Sequence, residues 1–267
     1  MDAVESLISQ GYLLSWALIA VSLFNTILLL WLGLTLWLNA DQRDLGIVLA
    51  SGGFMLGSLF FISHSALMLS DELTLSRSNT LWLAIGMVPV LALPYLWYVV
   101  LFWFADYWSN EADGLYQRRR FLLLMTSGIL IIGFFCLVLL GIPYSGPLAA
   151  LTPFIRPLLN AIKTPLFGIP LVAVGYLFYL LLCVSLSLDA LRQPAMSGRM
   201  MGEVARRRAR PWLVTASLLL LLVGILVAVV VLWTITNTKV GDYYVLEAQD
   251  YITIGRFDLV VSVLIAA

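Results

Sequence analysis

Six stretches of this chain, at about residues 12–38, 46–69, 80–105, 121–142, 166–188 and 211–235, consist almost wholly of apolar side chains. Crossing roughly 30 Å of hydrocarbon takes about 20 such residues in a helix. No water is present at that depth to satisfy the backbone, so each stretch must close its hydrogen bonds within itself. The alternating pattern of a membrane barrel strand is absent. The expected fold is all-α, a polytopic membrane helix bundle forming a single domain. Composition agrees: 62% of residues are hydrophobic and 11% charged, against about half and a quarter in a soluble domain. That excludes an ordinary water-soluble globule, a disordered chain and a nucleic-acid binder. The lipid bilayer is therefore the first expected partner.

A seventh apolar run begins at Phe257 and stops at Ala267. About ten residues at 1.5 Å rise cover about 15 Å, half of the hydrocarbon. The last carbonyls of such a half-span would lack partners in lipid. The expectation is six full spans and an incomplete seventh at 257–267, with further sequence, a cytoplasmic output domain, beyond residue 267. A half-span capped by a neighbouring subunit is the other reading.

Net charge is uninformative, since 15 basic residues balance 15 acidic ones. Their placement is informative. Ten basic residues fall after spans one, three and five: Arg43; Arg118, Arg119 and Arg120; and Arg192, Arg199, Arg206, Arg207, Arg208 and Arg210. Five fall on the other side: Arg77, Arg156, Lys163, Lys239 and Arg256. Basic bias places the larger group in the cytoplasm and the N-terminus outside. The Arg206, Arg207, Arg208 and Arg210 cluster reads as a topogenic cytoplasmic loop that attracts anionic lipid, or as a docking point for an output domain. Tyr95, Trp97, Tyr98, Phe102, Trp103, Phe104, Tyr107 and Trp108 crowd the same end of span three, with Trp31 and Trp37 at that end of span one. They read as interfacial aromatics. The first residues carry Asp2 and Glu5 and no basic residue, so the first apolar run is a permanent span rather than a cleaved signal. Cys136 and Cys183 lie inside apolar runs and read as small buried hydrophobes.

Two outer connections are long. Residues 143–165 contain Pro143, Pro147, Pro153, Pro157 and Pro165 among apolar residues, which suggests a broken helix on or in the outer surface. Residues 236–256 are polar, and Val240 to Ile254 suggests a short hairpin or helical turn.

Inside the membrane the acidic residues lie outside the spans or at their edges, and no Lys or Arg lies within one. Ion-coupled transport and voltage sensing use buried charges, so neither is expected. Span two stands apart. Gly46, Ala50, Gly53 and Gly57 form a small-residue face suited to close helix packing. His64, the chain's one histidine, follows Gly57 by two turns on the same side, about 7 Å from the outer end. Three readings of it stay open: an interhelical hydrogen bond, a ligand or pH-sensing pocket, or an axial ligand to haem or chlorophyll, for which a second histidine is missing. Ser63 beside it, Asn25 and Thr26 on span one, and Pro94 and Tyr95 on span three, where Pro89 and Pro94 should kink the helix, complete the pocket candidates. No catalytic motif occurs, and no metal or cofactor is expected.

The stretch Leu36 to Leu67, LWLNADQRDLGIVLASGGFMLGSLFFISHSAL, resembles the second-helix region of the seven-helix membrane modules at the N-termini of bacterial sensor proteins, including sensor histidine kinases. The segment GRFDLVVSVLIAA resembles the start of the last helix in those modules. The resemblance implies a sensor in the bacterial inner membrane, belonging to a two-component system. A small apolar or amphipathic signal would act through helix seven on cytoplasmic GAF, PAS or histidine-kinase domains, and the module would work as a homodimer or within a larger complex. His64 lies within a span and is not the phosphoacceptor of that family. The rival expectation is an accessory subunit of a photosynthetic or respiratory membrane complex, recognisable by pigment or haem.

Overall fold

The computed structural model describes residues 2–40, 44–69, 77–105, 114–141, 165–166, 169–192, 203–237 and 248–266. These form seven helices: α1 (Asp2–Leu38), α2 (Leu45–Leu69), α3 (Arg77–Phe104), α4 (Gly114–Gly141), α5 (Leu171–Arg192), α6 (Glu203–Asn237) and α7 (Ala248–Ala266). The one sheet among the described residues is a minimal hairpin, β1 (Pro165–Leu166) antiparallel to β2 (Ile169–Pro170).

Five of the helices are long and apolar enough to cross a membrane, at Gly11–Leu38, Leu45–Leu69, Ala84–Phe104, Ala173–Arg192 and Arg207–Val230. The expected span at 121–142 lies on α4, whose apolar stretch among the described residues is the shorter Arg120–Phe135. The chain is thus a helical membrane bundle. Large apolar side chains point outward along it, among them Leu13, Trp16, Phe24, Ile27 and Trp31 on α1. In water such a surface would aggregate; against lipid tails it is at no disadvantage.

Direction alternates along the chain, as side-chain contacts fix it. Ser22 meets His64 and Gly33 meets Phe54, so α1 and α2 are antiparallel. Ser63 meets Trp82 and Gly46 meets Trp103, so α2 and α3 are antiparallel. Leu14 meets Gly255 and Asn25 meets Ser262, so α1 and α7 run parallel. The helices α1, α2, α3, α5, α6 and α7 close a ring in which each packs on the next, and α4 lies outside it against α3 and α5. Trp97 of α3 donates to Ser217 Oγ of α6 across the ring at 2.9 Å.

The core sits between α3 and α5, where Tyr98, Phe102, Ala105, Tyr179, Cys183 and Ala190 pack together. Of the apolar windows of α3 and α5, 39% is buried, against 22% in α1 and 17% in α6, which makes α3 and α5 the central pair. This corrects the reading of Tyr98 and Phe102 as interfacial aromatics. On a central helix their rings fill the seam with α5. Tyr107 and Trp108 lie outside the described residues. Cys183 is buried and unpaired, as a small hydrophobe should be.

Three boundaries differ from the sequence expectation. α7 begins at Ala248, nine residues before the apolar run at Phe257. Asp250, Arg256 and Asp258 depress hydropathy there without stopping backbone hydrogen bonding. The second half of the polar connection expected at 236–256 is therefore helix, and its first part lies outside the described residues. α4 and α6 likewise begin before their apolar runs, so Arg118, Arg119 and Arg120 ride on α4 and Arg206, Arg207, Arg208 and Arg210 ride on α6 rather than in loops. Arginine is a good helix former, and the helices continue through it. α5 begins at Leu171 rather than 166, because the hairpin takes up Pro165–Pro170. The proline-rich stretch preceding Pro165 lies outside the described residues.

Candidate functional site

Most buried positions of the bundle are apolar or single hydroxyls bonded back to their own helix, such as Thr126 to Leu122 and Ser187 to Cys183. One place differs. Where α1, α2 and α7 meet, five polar side chains converge from three helices. α1 contributes Ser22 and Asn25, spaced three apart on one face and both fully buried. α7 contributes Asp258 and Ser262, spaced four apart on one face. α2 contributes His64 between them.

The chain of contacts runs from α1 to α7 through the imidazole. Ser22 Oγ lies 2.9 Å from His64 Nδ1, and His64 Nε2 lies 3.5 Å from Asp258 Oδ2. In the neutral ring with its proton on Nε2, Nδ1 accepts from the Ser22 hydroxyl while Nε2–H faces the carboxylate. If the ring carries both protons, the contact with Asp258 becomes an ion pair. The side chains of His64 and Asp258 are 14% and 22% exposed, so both are largely shielded while retaining a narrow opening. Phe60 lies one turn before His64 and stacks on its ring, with centroids 6.1 Å apart and planes 12° from parallel. One turn deeper, Asn25 Nδ2 donates to the Ser262 carbonyl at 2.8 Å. That bond fixes the amide orientation, since the flipped form would place oxygen against oxygen. It leaves Asn25 Oδ1 buried without a partner among the described residues.

Close approach of the backbones makes this junction. A Cβ on Gly255 of α7 would come within 2.8 Å of Leu14 on α1, and one on Gly57 of α2 would touch Leu29 at 3.0 Å. Small residues at both seams bring α2 and α7 within side-chain reach of α1.

The pocket expected from sequence divides. His64 and Asn25 belong to the junction. Thr26 does not: its hydroxyl donates to the Ser22 carbonyl on its own helix. Ser63 points away from His64 and donates to the Trp82 carbonyl of α3, in room left by Gly86. Successive helix residues are about 100° apart, so His64 and Ser63 serve different neighbours. Pro94 is buried in α3. Tyr95 joins Ser127 of α4 at 2.6 Å and lines a separate apolar groove of about 410 Å³ with Leu45, Leu49, Ala92, Leu96, Val99 and Leu130. Along α3 this groove lies about 15 Å from the level of His64, towards the opposite end of the bundle.

The small-residue face of α2 is likewise shared between neighbours. Gly57 serves α1, Gly46 lies directly against the Trp103 ring of α3, and Gly53 is only in ordinary contact with Leu96. Ala50 is half-buried between them. At the far end of the bundle Arg207, Arg208 and Arg210 are exposed, and Arg210 donates to the Arg192 carbonyl at the end of α5, 3.4 Å away.

Ser22, Asp258 and Ser262 escaped the sequence reading. The signal for them was the pair of short polar stripes, Ser22 with Asn25 and Asp258 with Ser262. Asp258 went unread because the last helix was started too late.

No grouping of three or more His, Cys, Asp or Glu side chains suited to a metal occurs among the described residues. The arrangement can exchange hydrogen bonds, carry a charge pair and accept one further polar atom at Asn25. Comparison with family models, with characterised proteins and with solved structures finds no match to this chain.

Proposed function

We propose that the chain is the membrane-embedded sensor module of a bacterial signal-transduction protein. In this reading it sits in the inner membrane with its N-terminus outside and passes a signal along α7 to a cytoplasmic output domain, of which a histidine kinase is the leading type. The observation that carries the reading is the junction itself. The last helix is held to the first two by a few directional polar contacts, His64 to Asp258 and Asn25 to Ser262, in a bundle otherwise packed with apolar side chains. Contacts of that kind have discrete alternatives. A small apolar or amphipathic molecule that prefers one arrangement shifts α7 in proportion to its differential affinity. The alternation of helix direction supports the orientation, since Arg118, Arg120, Arg192, Arg207, Arg208 and Arg210 all fall at one end, the end where α7 finishes.

Spin labels at Val263 on α7 and Ile62 on α2, both exposed, test the reading. The distance distribution should be bimodal or ligand-dependent in the parent protein, and should collapse to one population in His64→Ala. A single distribution unmoved by candidate amphiphiles and by His64→Ala would overturn it. So would a coding sequence that continues past Ala267 into another membrane array. A visible absorption band lost in His64→Ala would point instead to an accessory subunit of an energy-transducing complex.

A further inference from the structure

Beside the polar junction, on the other flank of the α1–α7 seam, lies a groove of about 350 Å³ lined by Leu13, Leu14, Ile252 and Arg256. Arg256 and Asp258 are two positions apart on α7, more than half a turn around the helix axis. Asp258 therefore faces His64 while Arg256 faces the groove. Arg256 is exposed, and no carboxylate lies within ion-pair distance of it among the described residues. Leu13 and Leu14 lie two and three residues into the apolar span that begins at Gly11, about 3–5 Å along the axis. The guanidinium thus stands at headgroup depth above an apolar trough. Tyr12 and Trp16, exposed and edge-to-face at 6.0 Å, mark the same level on α1, where amphipathic rings favour the membrane interface.

The geometry points to a binding site for an anionic phospholipid of the leaflet at the amino-terminal ends of α1 and α7. Its phosphate pairs with Arg256, and an acyl chain lies against Leu13, Leu14 and Ile252. The complementarity is specific in kind. Guanidinium matches phosphate in charge and in its fork of donors, and the trough offers nothing polar to a tail. The site shares the α1–α7 seam with the junction, since Gly255, the point of closest approach to Leu14, precedes Arg256 directly. A lipid seated there braces α7 against α1. The inference rests on the membrane-spanning character of the helices and stands apart from the sensor role.

Native mass spectrometry of the whole chain, released from phosphatidylglycerol or phosphatidylcholine nanodiscs, tests it. The parent protein should retain one phosphatidylglycerol that Arg256→Gln loses at least fivefold, that Arg256→Lys keeps in part, and that Ile252→Trp, which fills the trough, also loses. Phosphatidylcholine retention should be unchanged by all three, with helix content and melting preserved. Equal retention in Arg256→Gln would overturn the site. An equal loss in Arg210→Gln, at the opposite end, would show charge alone at work and overturn it too. Displacement by millimolar inorganic phosphate as readily as by lipid would assign Arg256 to a free anion and overturn the lipid assignment.

Discussion

The α3–α5 seam and the α1–α2–α7 junction hold the same bundle by different physics. Between α3 and α5, Tyr98, Phe102, Tyr179 and Cys183 interlock with Ala105 and Ala190. Lipid tails are as apolar as these side chains, so the seam gains by dispersion and fit rather than by leaving water. At the junction the buried residues are Ser22, Asn25 and Ser262, with His64 and Asp258 between them. Its contacts are few, directional and replaceable one by one. A close-packed seam has a single good arrangement. A polar junction with an unpartnered Asn25 Oδ1 has room for a second. The difference locates rigidity in the middle of the bundle and adjustability at the helix that ends it.

The largest effect should come from the packed seam. Phe102→Ala removes a ring that is 3% exposed and leaves a cavity that neighbouring helices cannot readily close. Unfolding in micelles should show a loss of about 3 kcal/mol. A loss below about 1 kcal/mol would mean that α3 and α5 are not the rigid pair.

Overpacking gives the next effect and separates two glycines that look alike in sequence. Gly46→Ala would drive a methyl group into the Trp103 ring, whereas a Cβ at Gly53 would meet only Leu96 at 3.8 Å. The expected cost is about 1–3 kcal/mol at Gly46 and close to none at Gly53, by the same unfolding measurement. The reverse order would restore Gly53–Gly57 as the principal packing motif.

These two glycines also show what the sequence could and could not convey. The helices were legible because each apolar run is long and proline-poor enough to admit only one membrane structure. Their ends were less so, since Arg118, Arg206 and Arg256 lower hydropathy while leaving the helix intact. At the site, His64 and Asn25 stood out as polar residues in apolar runs. Their partners did not, because Ser22 lies 42 positions from His64 and Asn25 lies 237 from Ser262, and pairing over such separations is a property of the ring closure that brings α7 beside α1. Ser63, Thr26 and Tyr95 were drawn into the same pocket by proximity along the chain, where helix geometry sends them to other neighbours.

A smaller effect sharpens the comparison at the junction. In a double-mutant cycle, His64→Ala and Asp258→Asn should couple by about 1 kcal/mol, near the upper part of the range for interhelical polar contacts in membranes. Tyr95→Phe with Ser127→Ala, a single neutral hydrogen bond, should couple by about 0.6 kcal/mol. Coupling at the junction no greater than at Tyr95–Ser127 would leave His64 as an ordinary helix fastener.

The smallest effect belongs to a residue on neither seam. Arg210 reaches the Arg192 carbonyl at 3.4 Å, where the end of α5 presents unsatisfied carbonyls and partial negative charge. Water reaches this exposed end and can replace the guanidinium. Arg210→Ala should therefore change unfolding stability by less than about 0.5 kcal/mol. It supplies the baseline against which both seams are measured. A loss exceeding about 1 kcal/mol would mean that the α5–α6 turn is itself a structural seam, and that the division between a rigid centre and an adjustable edge omits a third element.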